Sequence, residues 1–205
     1  VNFTGVSSSL SVDSLDGGID GGTVSGDIIA LDSSSNIELG TISGSIKSKN
    51  LSGRVSLSVV SGDIDDENSQ GRLDLQAVSG DVNTHSKAQE VSLNIVSGDS
   101  DLVLDDVIEL RVSTVSGDVD AEVNLKAKGL LKASSVSGAI NLAFQKDLSA
   151  SFDLKSNVGG HLLNKLSDVK ATKAKYGPSS KLNFRIADGS STVKVNTVSG
   201  NVRVK

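Results

Sequence analysis

Asp63, Asp81 and Asp99 follow one another at 18-residue intervals, and Asp118 comes 19 residues later. Each stands directly after a glycine, and two positions further on come Asp65, Asn83, Asp101 and Asp120. Carboxylates at constant spacing suit two kinds of chemistry. If the chain returns to the same place at each interval, the acids stack about 4.8 Å apart and repel one another by roughly 1 kcal/mol per neighbour in water. A shared row of oxygen ligands for Ca²⁺ would offset that repulsion, since the ion takes about six to eight oxygens. The other arrangement has each Asp bonded to its own corner's backbone, with solvent screening the rest. Corner bonding is the expectation, because turn aspartates are common and no Gly-Gly-x-Gly-x-Asp calcium-roll repeat occurs. Ser45 and Ala139 interrupt the row at its ends, so a cation stripe would be confined to Asp63, Asp81, Asp99 and Asp118.

The elements that must position these acids follow from the phrase they sit in. Val-Ser-Gly, or Ile-Ser-Gly, recurs with its glycine at 26, 44, 62, 80, 98, 117, 138 and 200. A period in this range held over most of a chain signals stacked repeats, each packing on its neighbours. Before the phrase, apolar residues alternate with polar ones, as in Ile37 and Leu39, Val55 and Leu57, or Leu73 and Leu75. That period of two marks half-buried strands. The apolar residue inside the phrase, Val24 and its equivalents, is expected to break this parity, so that the chain turns there. A half-period echo, Leu51-Ser52-Gly53-Arg54, points to a second, variable corner opposite the first, where the longer spacings after Gly98 are absorbed.

The fold predicted is all-β: a single-stranded parallel β-solenoid of about 18–22 residues per coil. A left-handed hexapeptide solenoid is excluded, because residues six and twelve after Val24 are Ala30 and Asn36, and those after Ile42 are Ser48 and Arg54. Parallel crossovers default to the right hand, so a right-handed coil is expected. One domain covers 1–205: an imperfect first coil over 1–22, regular coils over 23–162, a basic irregular excursion over 163–181, and final coils over 182–205. Helix is expected nowhere, apart from a turn or two near 163–175.

Composition narrows the functional classes. With four Phe, one Tyr and no Trp, the core must be built from Val, Ile, Leu and Ala. The absence of Cys excludes disulfides, thiol chemistry and thiolate metal sites. No apolar run reaches the roughly 20 residues of a transmembrane helix. Position 1 is not Met, which fits a chain trimmed of a secretory signal and hence an exported, periplasmic, cell-surface or secreted protein. The net charge of −5 conceals a strong asymmetry: residues 1–122 carry 21 acids against 6 bases, and residues 123–205 carry 4 against 14. Such asymmetry bears on partners and association.

Asp65, Asp101 and Asp120 form an outward acidic row and are candidate interaction residues. The opposite strand turns Ser56, Ser58, Ser92 and Asn94 outward, with Arg111, Lys132 and Lys194 further on. This ladder reads as a solvated face, and the near absence of aromatics argues against a sugar groove there. Lys165, Lys170, Lys173 and Lys175 form a second candidate surface, for anionic lipid or lipopolysaccharide or as a charged cover of the open end. Without aromatic platforms or a motif, nucleic acid is not an expected partner. Carboxylate pairs such as Asp63 with Asp65, or Asp99 with Asp101, are what a carbohydrate-active β-helix would use. A catalytic site would break the repeat locally, however, and these acids recur coil after coil. His85 and His161 lie four coils apart, so no histidine-based triad or metal site is in view. A non-enzyme is expected.

With the Val-Ser-Gly-Asp series and the closing Ile186-Ala187-Asp188-Gly189 and Thr197-Val198-Ser199-Gly200-Asn201-Val202, the chain resembles a large bacterial family of unknown function. Its members are labelled β-strand-repeat proteins or adhesins. The resemblance implies an envelope-associated or secreted β-solenoid acting in adhesion or as a scaffold. Surface polysaccharide, another envelope component or a second copy would be the partner. It brings no catalytic residues, and no cofactor is expected apart from the Ca²⁺ that the aspartate row alone suggests.

Overall fold

The computed structural model describes residues 1–205, which form eighteen strands and no helix. Parallel strands stack into a β-solenoid of about eight turns. Each turn has two sides. The broad side carries Ile19–Ser25, Ser34–Ser43 and Ser52–Ser61, then the later parts of the long strands Ile64–Ser79, Val82–Ser97, Ser100–Ser116 and Val119–Ser137. The narrow side carries Leu10–Asp13, Ile28–Leu31 and Ile46–Lys49, then the opening residues of those same long strands. Their inward residues form one core of 44 buried side chains. Ile37, Val55, Leu73 and Val91 stack in register on the broad side and Ile28, Ile46, Ile64 and Val82 on the narrow side, so each apolar residue sits on its counterparts above and below.

The phrase behaves differently from its sequence expectation at one position. Val24 and its equivalents keep the parity of the strand before them: Thr23 and Thr41 point inward and are buried, while Val24 is 44% and Ile42 51% exposed. The chain turns one step later, at Ser-Gly-Asp. The glycine there is needed for stacking as well as turning. Gly80 has φ +140°, and a Cβ on it would run into the carbonyl oxygen of Gly62 one coil below. The second corner lies where the echo placed it. Asp32, Asn50 and Asn68 take positive φ of 46°, 55° and 60°, and Asn50 donates to Asp32 while Asn68 donates to Asn50, each at 2.7 Å. Asn and Asp tolerate this left-handed geometry, and their stacked side chains replace the apolar contacts a corner lacks.

After Phe144 the order of the chain and the order of the stack part company. Ser191–Thr197 pairs with Val119–Ser137 on one side and with Ala150–Ser156 on the other; Val202–Val204 likewise lies between Ile140–Phe144 and Leu162–Asn164. The last coil of the chain is therefore inserted before the coil that precedes it in sequence. Leu182–Ile186, expected to resume the parallel coils, runs antiparallel to Ala150–Ser156 and closes the stack. Phe152 and Phe184 stack face to face at 4.4 Å, with Phe144 edge-on to Phe152 at 5.5 Å, so three of the four phenylalanines plug this end. No helical turn forms in 163–175; between Asn164 and Ser180 the excursion holds only the short strand Thr172–Lys173, antiparallel to Ser180 and Lys181.

Candidate functional site

The outward rows of the narrow side converge on a shallow groove of about 590 Å³. Lys47, Asp65, Asn83, Asp101 and Asp120 occupy one row in direct register. Lys49, Glu67, His85, Val103 and Glu122 occupy the next. Period-two alternation places both rows outward, and coil stacking makes each continuous. Asn83 donates to Asp65 at 3.1 Å, and Lys49 pairs with Glu67 at 2.8 Å. Asp101 and Asp120 have no ion-pair partner within the chain. Three of the predicted interaction residues, Asp65, Asp101 and Asp120, thus share one face.

The Gly-following aspartates are placed elsewhere, along the phrase corner. Asp63 Oδ1 accepts from the Asp81 amide at 2.9 Å, Asp81 from Asp99 at 2.9 Å, Asp99 from Asp118 at 2.8 Å, and Asp118 from Ala139 at 2.7 Å. The expected bond to the corner's own backbone is replaced by a bond to the next coil's corner. The same device appears at Asp27, which accepts from Ser45, and at Asn201, which accepts from His161. Each carboxylate braces one inter-coil step and satisfies an amide that the corner removes from the strand ladder. One oxygen per coil is left facing solvent, and nowhere do three Asp, Glu or His side chains gather as a metal cluster.

The four candidate lysines lie past the far end of the stack. The Lys165 amide still bonds Val204 at 2.8 Å, Lys173 pairs with Ser180, and Lys175 lies over the Tyr176 ring at 5.4 Å. Lys170 and the other three are exposed. Along the narrow side the register runs Asp120, Asn141, Arg203, Leu163, so Lys165 and its neighbours are separated from the acidic row and form no common site with it.

One carboxyl escaped the reading of the repeat. Asp66 lies on the inward parity, in register with Ser48 and Thr84, and is 4% exposed. It accepts hydroxyl hydrogen bonds from Ser69 at 2.5 Å, Ser48 at 2.6 Å and Thr84 at 2.9 Å. Burial pushes its pKa above the usual carboxylate range; the three hydroxyls pull it down in part, and neighbouring Glu67 raises it further. The signal was available as polar residues at the inward position where other coils carry Ala30 and Leu102, which inter-coil alignment alone reveals. Asp66 sits inside the coil beneath the groove, where it organises the second corner from within.

The family follows from a comparison of the whole chain. The Toastrack DUF4097 family model matches residues 4–205. The chain belongs to this family. Toastrack domains have no assigned function, and the match carries a fold with no activity, ligand or cellular site; the adhesin label and the Val-Ser-Gly-Asp phrase are not part of what it shows. No curated protein and no solved structure matches this Toastrack chain.

Proposed function

We propose that this Toastrack domain is a non-enzymatic binding module of the cell envelope, exported, that serves adhesion or scaffolding by holding an extended, positively charged envelope polymer along its narrow side. The observation that carries the reading is the straight acidic row Asp65, Asp101 and Asp120, in register with Asn83 and flanked by Glu67 and Glu122. A ligand with a regular charge spacing meets a carboxylate at three of four successive coils, along the kind of extended surface that stacked repeats present. Export rests on the family resemblance.

The test is fluorescence-anisotropy binding of labelled chitosan, with dextran and hyaluronate as neutral and anionic controls. Binding of chitosan alone, weakened by salt and at least about tenfold by D65N, D101N and D120N together, supports the reading. Equal binding of all three polymers, or none, sinks it. A carbohydrate-active β-helix using these same acids is the competing class, and release of new reducing ends, lost in Asp101→Asn, would replace binding with catalysis.

A further inference from the structure

The broad side presents four outward rows, and two of them reverse their charge partway along the stack. One row runs Asp20, Glu38, Ser56, Asp74 and then Ser92, Arg111, Lys132, Lys194, all in direct register, before Asp153 follows in the strand beyond Lys194. The row beside it runs Asn36, Arg54, Arg72 and then Glu90, Glu109, with the signs in the opposite order. Both reversals fall at the same place, between the coil of Asp74 and the coil of Ser92. Next come small polar residues, including Ser58, Gln76 and Asn94. Beyond them is an apolar stripe, Val24, Ile42, Val60, Val78, Val96 and Val115, each 44–51% exposed. A shallow groove of about 400 Å³ runs between the polar row and the stripe.

A two-fold axis lying in this face along the strand direction keeps every row opposite itself and reverses the order of the coils. Placed at the charge reversal, it sets Asp20 opposite Lys194 of the partner subunit, Glu38 opposite the partner's Lys132, and Arg54 opposite the partner's Glu109. The valine stripe meets itself. Asp20, Glu38, Lys132 and Lys194 have no ion-pair partner within the chain, whereas the charges nearest the axis do: Arg72 reaches Asp74 at 3.2 Å and Glu90 at 3.5 Å, and Arg111 pairs with Glu109. Asp20, Glu38, Arg54, Lys132 and Lys194 are thus unpaired charges that a second copy would pair, with Arg54 sharing Glu109 with Arg111.

We propose that the broad side is the interface of an antiparallel homodimer of this chain, closed by that two-fold axis. Eight coils at about 4.8 Å and seven strand residues at about 3.3 Å outline a face of roughly 34 by 20 Å. Its two sides together remove on the order of 1,400 Å² or more, within the range of specific dimers. Isologous contact closes at two, unlike the head-to-tail filament that an acidic front and basic rear allow by themselves. The acidic groove lies on the other side of the coil and stays open in the dimer, so failure here leaves the polymer-binding reading standing.

Sedimentation velocity across concentration, at low and high salt, is the measurement. A monomer–dimer equilibrium that weakens with salt and never passes two subunits is expected. Val78→Asp with Val96→Asp should abolish it while leaving the unfolding transition in place, because both positions already face solvent. Glu38→Lys should weaken dimerisation about tenfold, and adding Lys132→Glu should return it to within about threefold, since each reversed charge then faces its new opposite. Because the chain has no cysteine, spin labels at Asn94→Cys and Asn196→Cys report the direction. The first pair should lie within about 20 Å and the second be offset by roughly 34 Å along the stack. Monomer at every soluble concentration, an open ladder of species, no rescue by the charge swap, or short distances at both labels each overturn the proposal.

Discussion

Residues 23–143 and residues 144–205 are built from the same kinds of strand but held in different ways. In the first region each coil sits on the one before it, and the contacts repeat: apolar residue on apolar residue, glycine on glycine, aspartate on the next coil's amide. In the second, chain order and stack order differ, one strand runs backwards, and the packing rests on a cluster of three of the chain's four phenylalanines. A repeat can be extended indefinitely but cannot end itself. Stopping it takes residues that depart from the repeat, and inserting Ser191–Thr197 ahead of Ala150–Ser156 lets an antiparallel strand cover the last parallel edge.

This contrast can be tested by perturbing each region in turn. Leu75→Ala, fully buried in the central stack, should cost about 2–5 kcal/mol. Urea unfolding should then show one cooperative transition shifted to lower denaturant. Phe184→Ala should cost about 3 kcal/mol, but locally. Hydrogen exchange should speed in Ala150–Ser156 and Leu182–Ile186 while Ile64–Ser79 keeps its protection. Equal acceleration in both places would mean that the end is not a separate unit.

The corner bond is a smaller effect. Asp81→Ala removes the acceptor for the Asp99 amide and should cost about 1–2 kcal/mol, against well under 1 for an exposed aspartate without such a bond, such as Asp101→Ala. Thermal unfolding of the two variants side by side reads the difference.

Asp66 makes the comparison dependent on pH. Its folded pKa lies above its unfolded value, so between the two the native state holds more protons. The stabilisation is therefore fully present below about pH 3.8 and is lost as pH rises through the folded pKa. D66N, which cannot ionise, should gain on the native protein across that window and hold a constant difference above it. Unfolding free energies of the two proteins compared from pH 4 to pH 8 check this; a pH-independent difference would mean that burial does not perturb the carboxyl.

Ca²⁺ is expected to have the least effect, with unfolding temperatures equal in Ca²⁺ and Mg²⁺ at matched ionic strength, because one oxygen of each corner aspartate is already bonded. A Ca²⁺-selective rise lost in an Asp81→Ala, Asp99→Ala double variant would restore the cation row.

Where residues recur, the sequence was legible. The phrase glycines marked the corner, alternation marked the two sides, and the row of Asp65, Asp101 and Asp120 was recognised before its register was known. The acids after the glycines are corner residues as their spacing implies, but each accepts from the next coil's amide and not from its own corner. A hydrogen bond from one coil to the next looks the same in sequence as one within a coil. The exposed valine stripe is not legible in the sequence, because an apolar residue beside a turn is ordinarily buried.

Period and parity, both local properties of the chain, were thus enough to determine a parallel β-solenoid, its two corners and its polar outward rows. Only the tertiary structure decided which coil lies beside which after Phe144, and that Asp66 shares its inward position with Ser48 and Thr84. It also decided that charges scattered over nearly 180 residues reverse sign at one point of one face. Stacking turns separations of 18 to 62 residues into a step of about 4.8 Å, and the size of each step depends on where the chain returns.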